Sequence, residues 1–295
     1  MVLLHVKRGD ESQFLLEVGL NTPITEITRK VSQIYNARLK VHRLCCELSE
    51  LAEHGVSLPP EMQGLTEEQV QELGLQDEWG LRCVPSGGAI YCKDEIGRRN
   101  GQAPNKKMQE VIKTTIDEAK ALVSKKQVLV NVCVTEDVTQ EAIDLLRGAV
   151  TIVYPMGLPP HEPVRAELEN HEDLEGLQAG LEVIPENEAH LWWAGKELEA
   201  DKTLKDYVGP NEKTKAIVKL QKRGQGPPAR EPVVSEEEKK RMMLHAHRRQ
   251  QELQRLEEDD SDSYLCTAWA DKYTLKRQFQ GVNDIKPAIK RNRIL

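Results

Sequence analysis

Aromatic side chains are scarce in this chain, at 4% of 295 residues with only two Phe. Hydrophobic residues make up 39% and charged ones 30%, so it can fill one or two modest cores but must leave long polar stretches solvated. No apolar run reaches membrane-spanning length, and the run in MVLLHVKRGDE is too short for a signal peptide. A surplus of positive charge is also missing. The net charge of −7 argues against sequence-blind nucleic-acid binding, which needs a basic field over the phosphates. Six Cys lack any regular spacing, which points to reduced thiols in the cytoplasm and excludes a zinc-knuckle framework. Neither Gly-x-Ser-x-Gly nor a phosphate loop followed by Lys-Ser/Thr occurs, and the carboxylates fall in helical charge patterns. The expectation is a protein with no catalytic site, cofactor, metal, membrane span or small-molecule substrate.

What is present divides into segments. Residues 1–55 read as a hairpin, Val2–Val6 and Phe14–Val18 about a Gly9-Asp10 turn, then a long helix. Thr22 is its expected cap with Pro23 at the first position, Ile24, Ile27, Val31, Ile34 and Tyr35 its stripe, and His54-Gly55 its end. Residues 56–104 read as loop-rich, with a short helix opened by Thr66–Gln69 and a solvated turn at Arg98-Arg99, an anion site being the sharper alternative. In 105–148, Asn105 caps an amphipathic helix and Val128, Val130, Val132 and Val134 alternate like a strand. Thr135 then caps a helix that stops at Gly148.

The stretch from Leu191 to Gly226 is the most readable as a fold. Strand, turn, short strand, helical turn, loop and strand follow in the order of the second half of ubiquitin. A helix is the competing reading, because Leu191, Ala194 and Leu198 also share a helical face. Ala216, Val218 and Leu220 carry the apolar alternation of the last strand, one residue out of ungapped register with ubiquitin. With strands expected at Ala149–Tyr154 and Val164–Leu168, the fold class is α+β. It comprises a ubiquitin-like β-grasp domain at about 149–226, preceded by the hairpin and helix, and followed by a charged helix in 227–258 and a flexible tail, 259–295.

The motifs CVPSGGA (83–89), IGRRNGQAPN (96–105), RGAVTIVYPMGLPP (147–160), LWWAGKEL (191–198) and DYVGPNEKTKAIVKLQKRGQGPPARE (206–231), with the N-terminal MVLLHVKRGDESQF, resemble the Kurly family of cilia- and flagella-associated proteins. The resemblance implies a non-enzymatic adaptor for motile cilia, needed for outer and inner dynein-arm assembly, cilium movement and cilia polarisation. It implies protein partners among dynein-arm assembly factors, including a MYND-type zinc-finger protein, and a place in the cytoplasm and at the cytoskeleton of the basal body. A structural component of the axoneme or basal body is the alternative. For partner binding the candidates are Trp192, Trp193 and Val218 with the loop at Leu158, as one apolar patch, although both Trp could equally be core. The charged helix 235–258 is a second candidate. A hydrolase using Cys45 or Cys83 is the distant third reading, and His42 with Cys45 an incomplete metal pair.

Overall fold

The computed structural model describes residues 1–229 and 236–258. The chain opens with the hairpin β1 (Val2–Arg8) and β2 (Glu11–Val18), then the 31-residue helix α1 (Ile24–His54). Short helices α2 (Glu67–Glu72) and α3 (Glu78–Arg82) precede a small hairpin, β3 (Ala89–Tyr91) and β4 (Gln102–Pro104). Next come α4 (Lys106–Leu122), the single turn α5 (Gln127–Val130), α6 (Glu136–Val153), α7 (Pro163–Leu168) and α8 (Gln178–Glu182). The chain then returns to the sheet with β5 (Ala189–Trp193), β6 (Lys196–Glu197), α9 (Leu204–Val208) and β7 (Lys215–Lys222). A charged helix, α10 (Glu236–Glu258), forms a separate unit.

The main sheet has the order β2-β1-β7-β5-β6, with β1 parallel to β7 and the other neighbours antiparallel. A parallel pair needs a crossover connection, and here α1 and everything after it to Thr214 lie between the two strands. The sheet is therefore built from both ends of the 1–229 unit. Val2, Leu4 and Val6 of β1, with Ala216, Val218 and Leu220 of β7, pack on Ile24, Ile27, Val31 and Ile34 of α1. The distal half of α1 forms a second core, where Val41, Leu44, Leu48 and Leu51 meet Ile112 and Ile116 of α4 and Leu146 and Val150 of α6. Between the two cores lies Arg38, itself buried. Its Nε donates to the Val123 carbonyl at 3.0 Å, an Nη donates to Gln13 Oε1 at 3.3 Å, and its guanidinium covers the Phe14 ring at 5.5 Å.

Several expectations hold. The N-terminal hairpin and the α1 stripe are as read. Helix α1 ends at Gly55, whose φ of 80° and contact with the Gln102 carbonyl, 2.4 Å from where a Cβ would sit, leave room for glycine alone. The start shifts by one residue, because Pro23 is the N-cap and no side chain caps the helix. The Thr66–Gln69 capping box and the Thr135 cap both form, while Asn105 occupies its N-cap without a side-chain bond. From Leu191 the order strand, turn, strand, helical turn, strand is present, so the helical alternative is excluded. The apolar alternation of the last strand faces the core.

The strands expected at Ala149–Tyr154 and Val164–Leu168 are helical, so 149–226 lacks the opening hairpin of a self-contained grasp. Thr139, Ala142, Ile143, Leu146, Ala149, Val150 and Val153 are all buried, and their helical spacing carries α6 straight through the β-branched run. Gly148 does not stop the helix; a Cβ there would meet open space. Pro163 sits at the first turn of α7, the position a helix tolerates. The valine alternation is no strand either: α5 is a helical turn closed by Asn131 at φ 58°. Val134 then donates its N–H to Leu15 on the outer edge of β2, covering an otherwise open strand edge. Ser235, the first residue of the expected charged helix, and the tail at 259–295 lie outside the described residues.

Two measurable consequences follow from this packing. Ala194 and Gly195 form the two-residue β5–β6 turn with φ of 50° and 79°, and the alanine has a strained sign of φ. Ala194→Gly should raise unfolding free energy by up to about 1 kcal/mol in urea titration, relief of strain outweighing chain entropy. Glu167, on α7, is 7% exposed, and burial pushes its carboxyl up to about 7 although Arg43 donates to it at 3.1 Å. Desolvation exceeds the ion pair, which Glu172 further opposes and Lys40 assists. With the folded value above the unfolded one, the native state binds the extra proton. Stability should then fall as pH rises from about 4.5 to 7, by on the order of 3 kcal/mol. Glu167→Gln should flatten that slope in thermal melts; an unchanged slope would assign it elsewhere.

Candidate partner-binding surface

A strand turns successive side chains to opposite faces, and this decides the fate of the two tryptophans. Trp193 pairs with Val218 on the helix-covered face, in line with Ala189 and Leu191, and packs partly into the first core. Trp192 pairs with Lys219 and Glu197 on the opposite face. Val218 is 1% exposed and Leu158 is 5% exposed, the latter in the second core among α-helices. The four residues therefore do not assemble into one exposed patch. Val218 is needed by the core, and Leu158 lies in the connection between α6 and α7 rather than beside the sheet.

Trp193 instead lines a groove of about 1500 Å³. One wall is the start of α1 from Pro23 to Arg29; the other runs through Leu198–Ala200, Lys202 and Tyr207. Backbone pairing fixes that second wall to the helix. Ile24 N–H donates to the Lys202 carbonyl at 3.0 Å, Leu204 N–H to Thr22 at 3.3 Å, and the Thr25 hydroxyl to Ala200 at 2.8 Å. Thr203 and Asp206 close a capping box, whose hydrogen bonds hold the Asp206 carboxyl below its ordinary range. The Tyr207 hydroxyl accepts the Glu199 N–H at 2.9 Å, and Lys202, bonded to Glu199 at 2.9 Å, lies over the Tyr207 ring. Apolar Ile24, Leu191, Leu198 and Trp193 make the floor, while Arg29, Lys196, Glu199 and Arg223 are among the charged rim residues. At this size the groove exceeds an ordinary small-molecule site of about 300–1,000 Å³ and suits a protein segment.

A second polar cluster answers the question posed by Arg98-Arg99. Arg98 is exposed, but Arg99 is 8% exposed and committed to protein groups. It donates to the Gly55 carbonyl at 2.8 Å, to Glu162 Oε1 at 3.2 Å and to Glu47 Oε2 at 3.0 Å. Fully buried Glu162 also accepts the Ser57 N–H at 2.7 Å. Arg99 is thus neither in a solvated turn nor free for an anion. The cluster joins the IGRRNGQAPN segment to the turn that follows MGLPP. Glu162 was the residue that sequence reasoning missed; a lone acid between prolines carries no periodic signal.

Cys45 and Cys83 show no activation. Burial pushes Cys45 up to about 11 and raises Cys83, next to Asp77. The nucleophile is the thiolate, so both sulfurs are protonated and packed at neutral pH. His42 is held below its ordinary value by burial and by Arg38, and among the described residues no group of His, Cys, Asp and Glu is arranged to hold a metal. Among the same residues, no helix is long and apolar enough to cross a membrane.

Residues 189–285 match the model of a family described as cilia- and flagella-associated protein 298, and the match starts at the first residue of β5. Over 286 residues the chain is 65% identical to the Homo sapiens cilia- and flagella-associated protein 298, covering 97% of this chain and 99% of that one. The chain belongs to the cilia- and flagella-associated protein 298 family. The Danio rerio member is 64% identical over the same span, and the Drosophila melanogaster member 48%, with 97% of this chain and 98% of the fly protein covered. The family resemblance carried by the sequence motifs is thereby shown, and with it a role associated with cilia or flagella. No solved structure matches the chain.

The burial pattern makes a direct forecast for thiol labelling. In the native protein an alkylating probe at neutral pH should modify the exposed Cys46 and Cys92 while sparing Cys45 and Cys83, as read by peptide mass spectrometry. Cys45 or Cys83 reacting faster than either exposed thiol would reinstate the nucleophile reading.

Proposed function

We propose that the chain is a non-enzymatic adaptor in motile-cilium assembly, built on a ubiquitin-like β-grasp formed by residues 1–54 and 189–222. Supporting the fold reading are the strand order β2-β1-β7-β5-β6, the parallel pair β1 and β7, and α1 lying across one face. The segment 56–188, with its own helical core on the distal half of α1, is then an insertion between the grasp helix and its third strand. The grasp is thus interrupted rather than confined to 149–226.

The adaptor serves the assembly of outer and inner dynein arms, and through it cilium movement and cilia polarisation. It works in the cytoplasm and near basal bodies, holding dynein-arm assembly factors, among them a MYND-type zinc-finger protein. Family membership supports the ciliary setting. The observation that carries the mode of action is the Trp193 groove, whose walls are tied together by backbone hydrogen bonds and in which Trp193 is only partly buried. A preformed groove binds without an ordering cost on its own side, and a half-buried Trp is a favoured anchor.

Charge reversal at the rim tests this without touching the core. Arg29→Glu combined with Lys196→Glu should reduce co-precipitation of dynein-arm assembly factors from ciliated cells at least about tenfold, with the thermal midpoint nearly unchanged. Trp192→Ala, on the opposite face of β5, should leave capture intact. Capture lost with Trp192→Ala and retained with the rim variant would move the partner to the other face of the sheet.

A further inference from the structure

Arg38 is 3% exposed, yet among the described residues it forms no ion pair with a carboxylate. Its Nε and one Nη are used by the Val123 carbonyl and the Gln13 side chain, both neutral acceptors. Burial pulls the group down to about 10, with Tyr35 opposing. A buried charge is ordinarily paired with its opposite, and this one lacks such a partner. Arg8 repeats the pattern. It donates to the Tyr35 hydroxyl and to the Glu182 carbonyl, the latter at 3.0 Å, and lies over the Tyr35 ring at 5.1 Å. Among the described residues Arg8 also has no carboxylate partner, although the chain as a whole has a net charge of −7.

Both guanidiniums line one cavity of about 390 Å³, together with Gln13, His42 and Lys125. Its walls come from β1, β2, α1, α8 and the turn after α4. The acids of the lining are Glu11 and Glu182. Glu11 is taken by Lys125 at 2.5 Å, while Glu182 is exposed and meets Arg8 through its backbone. Burial holds His42 below its ordinary value, and the charges that add to this, Arg38, Lys120 and Lys125, are all positive. The cavity therefore presents a positive field with two guanidiniums still to be compensated.

That field decides between classes of ligand. A cation is repelled, and an apolar molecule would leave both guanidiniums uncompensated. A carboxylate offers two oxygens, whereas a phosphoryl group offers three and more charge, which suits two planar forks better. The planes of those forks are already set, Arg38 lying over Phe14 at 5.5 Å and Arg8 over Tyr35, so little ordering remains to be done on binding. The volume is that of a small-molecule site. We propose that this cavity binds a small phosphorylated molecule, whose phosphoryl oxygens take the remaining donors of Arg8 and Arg38. Because its walls belong to the sheet, to α1 and to the segment 56–188, occupancy ties these parts together and makes stability depend on ligand. The site shares no residue with the Trp193 groove and does not depend on partner capture there.

The test titrates the full chain calorimetrically with inorganic pyrophosphate, in buffer free of phosphate and divalent cations. A one-to-one complex with a dissociation constant at or below about 100 μM is expected. At about 10 mM the probe should raise the thermal midpoint by at least about 3 °C. Arg8→Gln and, separately, Arg38→Lys should each weaken binding at least about tenfold, since neither replacement offers a guanidinium fork. Arg8 is only half-buried, so Arg8→Gln should keep the parent's circular dichroism and carries the test if Arg38→Lys fails to fold. Arg98→Gln, at an exposed arginine outside the cavity, should bind like the parent. No complex, citrate bound as tightly as pyrophosphate, an unaffected Arg8→Gln, or an equal loss in Arg98→Gln would overturn the proposal.

Discussion

Helix α1 is shared by two hydrophobic cores, and the rest of the 1–229 unit depends on that sharing. Its first half closes the sheet and its second half nucleates the packing of α4 and α6. At 31 residues it is about 46 Å long, more than either core alone needs. The two cores meet at Arg38. A buried guanidinium is costly unless its donors are used, and burial pulls this one down to about 10. Its bonds reach Gln13 on β2 and Val123 beyond α4, and its plane covers Phe14. One side chain on α1 thus touches both halves, so neither half can rotate about the helix without stranding a buried charge.

The same logic governs the return from the inserted helices to the sheet. Asn36 binds the Ile184 backbone on both sides, donating to its carbonyl at 2.8 Å and accepting its N–H at 3.1 Å, and the Ser32 hydroxyl donates to the same carbonyl at 2.8 Å. Ile184 itself is fully buried in the first core. A clamp at this point sets where β5 begins, and hence which residues of 189–193 face the helix. Alternation is strict, so a slip of one residue here would exchange Trp192 with Trp193 and turn Leu191 to solvent. The clamp on α1 therefore fixes the lining of the groove, even though none of its members contributes to the surface.

Sequence periodicity carried the N-terminal hairpin, α1, and the whole run from β5 to β7, because in each the side-chain pattern and the turn chemistry agree. It failed at Ala149–Val153, where a β-branched run continues a helical face already established from Thr139. Propensity pointed one way and the longer period another, and packing on α1 and α4 decided for the helix. The pairing of β1 with β7 was invisible for a different reason: strands more than 200 residues apart leave no local trace. The candidate residues shared that difficulty. Trp192 and Trp193 were legible as notable but not as facing apart, since their faces depend on which of the two strand phases the clamp at Ile184 selects. Glu162 and Arg99 could not be paired from sequence at all, being isolated charges in loops that only the fold brings together.

These features divide the molecule's surfaces by rigidity. The groove at Trp193 is walled by a helix start and by a segment hydrogen-bonded to it, so its shape is fixed before any partner arrives. Helix α10 is the opposite case, a helix whose Met242, Met243, Leu244 and Leu253 are exposed. A rigid concave site selects by shape and pays little entropy on binding, whereas an exposed helix selects by what can enclose it.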